Sequence, residues 1–112
     1  DRLMLLLADE TYNRMRIITP IHMAEQLDPD ELKAAMTANF HTALDVRYAI
    51  SEGVVWSAFL HPLRELSRAQ LTDALAQVYR AAESFGTTYS STELVFPGGT
   101  DQKVNQKPKK KM

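Results

Sequence analysis

The sequence predicts an α+β domain in which a small antiparallel sheet, built from two β-hairpins, carries helices packed on it. Three observations lead to this prediction. Two pairs of extended runs each flank a short polar turn, two helices begin at complete capping signals, and the order is strand, strand, helix, strand, strand, helix. The length of 112 residues leaves room for one small domain.

The first hairpin is indicated by two extended runs. Leu3–Ala8 is continuously apolar, and the polar residues 9–13 that follow it are typical of a turn. From Arg14 to Ile21, apolar and polar residues then alternate, which is the pattern of a half-buried strand. Pro20 is expected near the end of this strand, because proline has no N–H to donate to a neighbouring strand.

The first helix has a clear start signal. Asp28 is predicted to be the N-cap, Pro29 the first helical residue, and Glu31 the partner in a capping box. Residues at spacings of three and four predict one buried stripe: Leu32, Ala35, Met36, Asn39, Phe40 and Ala43. Asn39 lies inside that stripe and therefore needs a polar partner.

A second hairpin and a second helix complete the domain. Leu44–Ile50 alternates, and Ser51–Gly53 forms the turn with a positive φ at Gly53. Val54–Leu60 is so apolar that the strand is predicted either to be covered on both faces or to lie centrally in the sheet. Ser67 and Gln70 form a second capping box. The apolar face of this helix is predicted to contain Leu71, Ala74, Leu75, Val78, Ala82 and Phe85, with Gly86 just past its end.

Charge divides the chain into two parts. Residues 1–96, the predicted single domain, hold eight basic and thirteen acidic residues, a net charge of −5. Residues 97–112 hold five lysines and one aspartate, and this tail is predicted to be disordered. The short apolar patch at residues 94–96 is expected to dock on the domain. The lysines are interpreted as a solubilising tail; a nucleic-acid adaptor is the alternative, which the acidic domain disfavours.

Composition excludes several classes of protein. The chain is 45% hydrophobic and 24% charged, as in ordinary globular proteins, and the absence of cysteine rules out disulfides, thiolate metal sites and a cysteine nucleophile. No apolar run approaches the roughly 20 residues of a membrane span. No signal-peptide pattern is present, and we expect a cytoplasmic protein.

No catalytic, cofactor or metal site is predicted. His22, His41 and His61 are about twenty residues apart and share no local metal-ligand spacing. The hydroxyl-rich segment Thr87–Ser91 has no adjacent base to activate a nucleophile. An enzyme or small-ligand protein remains the alternative, and its candidate polar site contains Asn39, His41, Thr87, Tyr89 and Ser90.

Several short sequence segments together resemble the YbjN-like domain family, across roughly residues 2–91. They are Asn13-Arg14-Met15-Arg16-Ile17, Asn39-Phe40-His41, Trp56 through Phe59 to His61-Pro62-Leu63 with Leu66, and Phe85-Gly86-Thr87-Thr88-Tyr89-Ser90-Ser91. The fold of that family is similar to that of the type III secretion chaperones of the Tir-chaperone type. The resemblance implies a further helix before the first strand, which this chain lacks, and it carries over no catalytic residue.

The resemblance also implies a function, because chaperones of that fold are typically dimers that hold an extended segment of a client protein. We therefore expect a non-enzymatic, bacterial protein-binding module, chaperone-like or regulatory, that forms a homodimer and needs no cofactor. The apolar strand over residues 54–60 offers the candidate partner or dimer contacts, which are Val55, Trp56 and Phe59. Neither a membrane nor a nucleic acid is expected as a partner.

Overall fold

The computed structural model describes residues 2–92 and has one four-stranded antiparallel sheet with the strand order β1-β2-β4-β3. The elements in chain order are β1 (Leu5–Asp9), β2 (Arg14–Met23), a short 3-10 helix (Ala24–Gln26), α1 (Pro29–His41), β3 (Arg47–Ser51), β4 (Val54–Pro62) and α2 (Arg68–Glu83). The predicted α+β class and the predicted order of elements are therefore confirmed.

Both predicted hairpins are present, and local backbone geometry sets their turns. Glu52 and Gly53 connect β3 to β4 with φ values of +51° and +78°, as in the tight turns that suit twisted strands. The strand expected from Leu44 begins only at Arg47, because Leu44 itself has a φ of +54° and turns the chain. β4 lies between β2 and β3, in the central position that is one of its two predicted arrangements.

Both helices begin at the predicted caps. The Asp28 carboxylate accepts the N–H of Glu31, and the Glu31 carboxylate accepts the N–H of Asp28 in return. Ser67 and Gln70 make the same reciprocal pair at the start of α2. Each box satisfies backbone donors that the first turn leaves unpaired, so both boundaries follow from short sequence signals.

The core lies between α2 and one face of the sheet. Ile17 on β2, Phe59 on β4 and Val78 on α2 are buried there. The other buried members of this cluster are Met15, Ala35, Ala38, Ala43, Val46, Tyr48, Ala74, Ala81 and Tyr89. The buried hydroxyl of Ser57 donates to the carbonyl of Val78 at 3.0 Å, so the polar group on this face has a partner.

The buried stripe predicted for α1 is wrong in part. Ala35 and Ala43 are buried, but three large residues face outward: Leu32 is 45% exposed, Met36 64% and Phe40 83%. The reason is that α1 lies at the β3 edge of the sheet and packs through its small residues, whereas α2 covers β2 and β4. The predicted stripe of α2 is confirmed, with Ala74, Val78 and Ala82 buried and Leu71, Leu75 and Phe85 partly buried.

The predictions for the end of the chain lie outside the described residues. They are the docking of residues 94–96 and the disordered basic tail over residues 97–112.

Candidate protein-binding surfaces

The exposed apolar side chains of α1 form a continuous surface. Leu32, Met36 and Phe40, here called the α1 stripe, follow one another at intervals of four residues and therefore share one side of the helix. Beside them is an apolar groove between α1 and β3 with a volume of about 250 Å³. The groove is lined by Leu27, Leu32, Ala35, Met36, Tyr48, Ala49, Ile50 and Val55.

The side chain of Asn39 holds α1 against the sheet. Its Nδ2 donates to the carbonyl of Tyr48 at 3.1 Å, and its Oδ1 accepts the N–H of Tyr48 at 2.8 Å. One amide group thus takes the place that a neighbouring strand would occupy at this edge. The backbone of Tyr48 is therefore the polar partner that the sequence requires for Asn39, and these two hydrogen bonds give Asn39 a structural role.

The three predicted partner contacts do not share one surface. Val55 and Phe59 are 2% and 7% exposed and belong to the side of β4 that faces α2. Trp56 lies on the opposite side of the strand, half-buried, and its Nε1 donates to the carbonyl of Ser51 at 3.2 Å. The burial of Val55 and Phe59 makes them core residues, whereas Trp56 remains partly accessible.

The hydroxyl-rich segment after α2 is tied to the domain by its own polar groups. The Thr42 hydroxyl donates to the carbonyl of Tyr89 at 2.6 Å, and the Thr87 hydroxyl donates to the carbonyl of Ser84. The Ser90 hydroxyl donates to the carbonyl of Thr92, and the Ser84 hydroxyl accepts the N–H of Ser90. These hydroxyls shape the turn, and those of Ser84, Thr87 and Ser90 also belong to residues that line an open cavity of about 340 Å³ beside the end of α2. The other candidates for a polar site, Asn39, His41 and Tyr89, do not line this cavity.

Burial affects the two tyrosines of the same region. Tyr48 packs edge-on against the rings of Phe85 and Tyr89, and its hydroxyl donates to the carbonyl of Ala81 at 2.6 Å. Desolvation raises the pKa of Tyr48 to about 12 and also raises the pKa of Tyr89. Both shifts follow from burial, which disfavours the charged phenolate.

The remaining candidate residues do not assemble into a site. His41 is half-buried and its ring lies edge-on to that of Phe40, at 4.9 Å between centroids. Within residues 2–92, no group of three histidine or acidic side chains has the arrangement of a metal site.

A separate observation concerns membranes. Neither helix in the described part of the chain has both the length and the apolar character needed to cross a bilayer.

Sequence reasoning missed the exposure of the α1 stripe and most of the face of the sheet that lies opposite α2. The α1 stripe was predicted to be buried, since its spacing identifies an apolar helix face without saying what covers it. On the face of the sheet opposite α2, the sequence singles out only Trp56. The alternation in β2, which places Arg14 and Arg16 on one side and Met15 and Ile17 on the other, was the available signal for that face.

Comparison with solved structures identifies the class of fold. A chain in the structure of the HopA1–SchA chaperone–effector complex is similar, with a TM-score of 0.60, 15% sequence identity, and coverage of 75% of this chain and 66% of that one. A chain in the ExsC–ExsE complex is similar with a TM-score of 0.57 and 17% identity, over 74% of this chain and 70% of that one. The α+β fold is therefore secretion-chaperone-like.

The chain spans just under two thirds of the first of these two structures. No protein-family model and no curated protein sequence matches the chain. Membership of the YbjN-like family accordingly stays a prediction.

Proposed function

We propose that this chain is a non-enzymatic, chaperone-like protein-binding module of the YbjN-like type, which forms a homodimer and holds a segment of a partner protein. The observation that carries the proposal is the α1 stripe with its adjoining groove. Leu32, Met36 and Phe40 are large apolar side chains at 45–83% exposure, and contiguous patches of this kind are typical of protein–protein contacts. The likeness to a chaperone–effector complex supports the same class of function.

We assign the α1 stripe to the contact between two copies. A helix face pairs readily with the same face of a second copy around a twofold axis, and Met and Phe are enriched in interface centres. Asn39 supports this role, because it anchors α1 and so keeps the stripe in a fixed position. Other surfaces of the domain are then left to hold the partner segment.

Light scattering on the purified full chain tests the dimer. We expect a dimer for the natural sequence and a monomer for Met36→Glu combined with Phe40→Glu. Tyr12→Glu is the matched control, because Tyr12 is 76% exposed on the first hairpin and far from α1 in sequence; it should stay dimeric. A natural chain that is monomeric, or a double variant that remains dimeric, would contradict the assignment.

Partner binding is tested by affinity capture from the source cells, with mass spectrometry of the eluate. We expect one protein at a fixed ratio to the dimer. If the chain elutes alone from cells that express it at its natural level, the chaperone-like function is refuted.

A further inference from the structure

The sheet has one face that neither described helix covers, here called the open sheet face. Ser57 points toward α2, so its neighbours Trp56 and Leu60, at odd distances along β4, lie on the other side of the sheet. Residues paired across antiparallel strands share a face. The register therefore adds Leu7, Arg16 and Ile18 to Trp56 and Leu60.

Side chains on this face remain accessible. Leu60 is 58% exposed and Leu7 48%, while Ile18 and Trp56 are half-buried. On the face toward α2, by contrast, Ile17 and Phe59 are below 10% exposed. Leu7, Arg16 and Leu60 occupy one cross-strand row, so an arginine stands between two exposed leucines.

Positive charge surrounds the apolar centre. Arg14 lies one row further along β2 than Arg16, and Arg47 pairs with Ala58 on the far side of the sheet. None of these three arginines forms an ion pair with a carboxylate among residues 2–92. Arg14 donates only to the carbonyl of Asn13, and Arg47 to the carbonyls of Leu44 and Val46. Three carboxylates lie near these arginines among the described residues, and each accepts other donors. Asp9 accepts the backbone N–H groups of Thr11 and Tyr12, whereas Asp45 and Asp73, which share a cavity with Arg47 and Leu60, accept the side-chain amide of Gln77.

This distribution is opposite to that of the whole domain, whose first 96 residues carry a net charge of −5. An arginine guanidinium binds a carboxylate through two parallel hydrogen bonds, so three arginines that form no ion pair, around a leucine centre, match a segment that combines carboxylates with large apolar residues. We propose that the open sheet face binds an acidic amphipathic segment of a partner protein. This inference rests on the proposed protein-binding function and names the chemistry of its partner.

Two other occupants fit the face less well. A second copy would bring its own Arg16 against this one in a twofold face-to-face contact, and like charges oppose such an arrangement. A single-stranded nucleic acid needs several aromatic platforms for its bases. The described residues at this face include two aromatics, Trp56 and Tyr12, which lie toward opposite ends of β2, and the indole N–H of Trp56 is already bonded to the carbonyl of Ser51.

The test uses two fluorescein-labelled peptides of equal length, both with leucine and phenylalanine at alternate positions, one with glutamate and the other with lysine between them. Fluorescence anisotropy with the full chain should show binding of the glutamate peptide, weakening with salt, and no binding of the lysine peptide. Arg16→Glu should weaken the binding about tenfold or more. Arg68→Glu is the matched control, since Arg68 is exposed on α2 and the substitution changes the net charge equally.

The outcomes separate this inference from the proposed function. If the natural chain captures its partner as a dimer but Arg16→Glu changes neither capture nor peptide binding, the open sheet face is not the binding surface and only this inference fails. If a labelled oligothymidylate binds in an Arg16-dependent manner and the glutamate peptide does not, the face binds nucleic acid and the inference is overturned. Light scattering should show Arg16→Glu to be dimeric, because Arg16 is not part of the α1 stripe.

Discussion

Replacing Asn39 with alanine tests whether the side-chain amide locks α1 to the edge of the sheet. The substitution removes the hydrogen bonds of 3.1 Å and 2.8 Å to the backbone of Tyr48. At a net 0.5–1.5 kcal/mol each, their loss costs about 1–3 kcal/mol. Alanine offsets up to about 0.7 kcal/mol of this through its better helix propensity. The free energy of unfolding should therefore fall by about 1–2 kcal/mol.

Urea unfolding followed by circular dichroism measures the loss, which corresponds to a fall in Tm of about 5–10 °C for a domain of this size. Thr37→Ala is the control on the same helix. The Thr37 hydroxyl donates only to the carbonyl of Lys33, one turn earlier in α1, and its removal should change stability by less than about 0.5 kcal/mol.

Amide hydrogen exchange gives a local readout of the same substitution. The N–H of Tyr48 should be protected in the natural chain and should exchange faster in Asn39→Ala, by more than the global loss of stability explains. The reasoning is refuted if Asn39→Ala unfolds within about 0.5 kcal/mol of the natural chain and the Tyr48 amide keeps its protection.

Three further predictions concern stability. Gln77→Ala should cost about 2 kcal/mol in urea unfolding, because buried Gln77 accepts the N–H of Asp45 and donates to two carboxylates. Asp28→Ala should cost about 1 kcal/mol in the same assay through loss of the capping box. Alkaline pH should destabilise the domain, because burial raises the pKa of Tyr48 from 10 to about 12. The neutral Tyr48 hydroxyl therefore contributes about 2–3 kcal/mol to the free energy of unfolding below pH 10, and this contribution is lost as the pH rises toward 12. Ultraviolet titration of the natural chain and of Tyr48→Phe follows the ionisation of Tyr48, and urea unfolding of both chains at each pH follows the loss of stability.

Each of these three stability predictions has an outcome that would contradict it. Gln77→Ala at natural stability would mean that water replaces its bonds at no cost. An unchanged Asp28→Ala would show that the first turn of α1 needs no cap. If Tyr48→Phe keeps the full alkaline instability, then another group, such as Tyr89, is its source.

Features that depend on neighbouring residues in the chain were predictable. The two capping boxes at Asp28 and Ser67 involve residues three positions apart, and the turn at Gly53 needs a φ that glycine adopts freely. The central position of β4 is one of the two arrangements that its apolar composition predicts.

Features that depend on tertiary position were not predictable in this way. The periodicity of α1 is the same whether its large residues face a core or a second chain, so the exposure of Met36 and Phe40 had no local signal. The φ of +54° at Leu44 could not be predicted from the sequence either, because leucine does not favour the left-handed conformation. Asn39 was recognised as needing a partner, but its partner is the backbone of Tyr48, and no side-chain pattern marks a backbone group.

The two outer strands of the sheet differ in one respect that limits how copies of this protein associate. At β3, the outward N–H and carbonyl of Tyr48 are already occupied by Asn39, whereas β1 is an outer strand whose residues from Leu6 to Asp9 are exposed. Endless stacking of sheets into a fibre requires two free edges on every copy. A strand that added to β3 would have to displace the amide of Asn39 from the backbone of Tyr48, so Asn39 disfavours extension of the sheet at this edge as well as anchoring its helix.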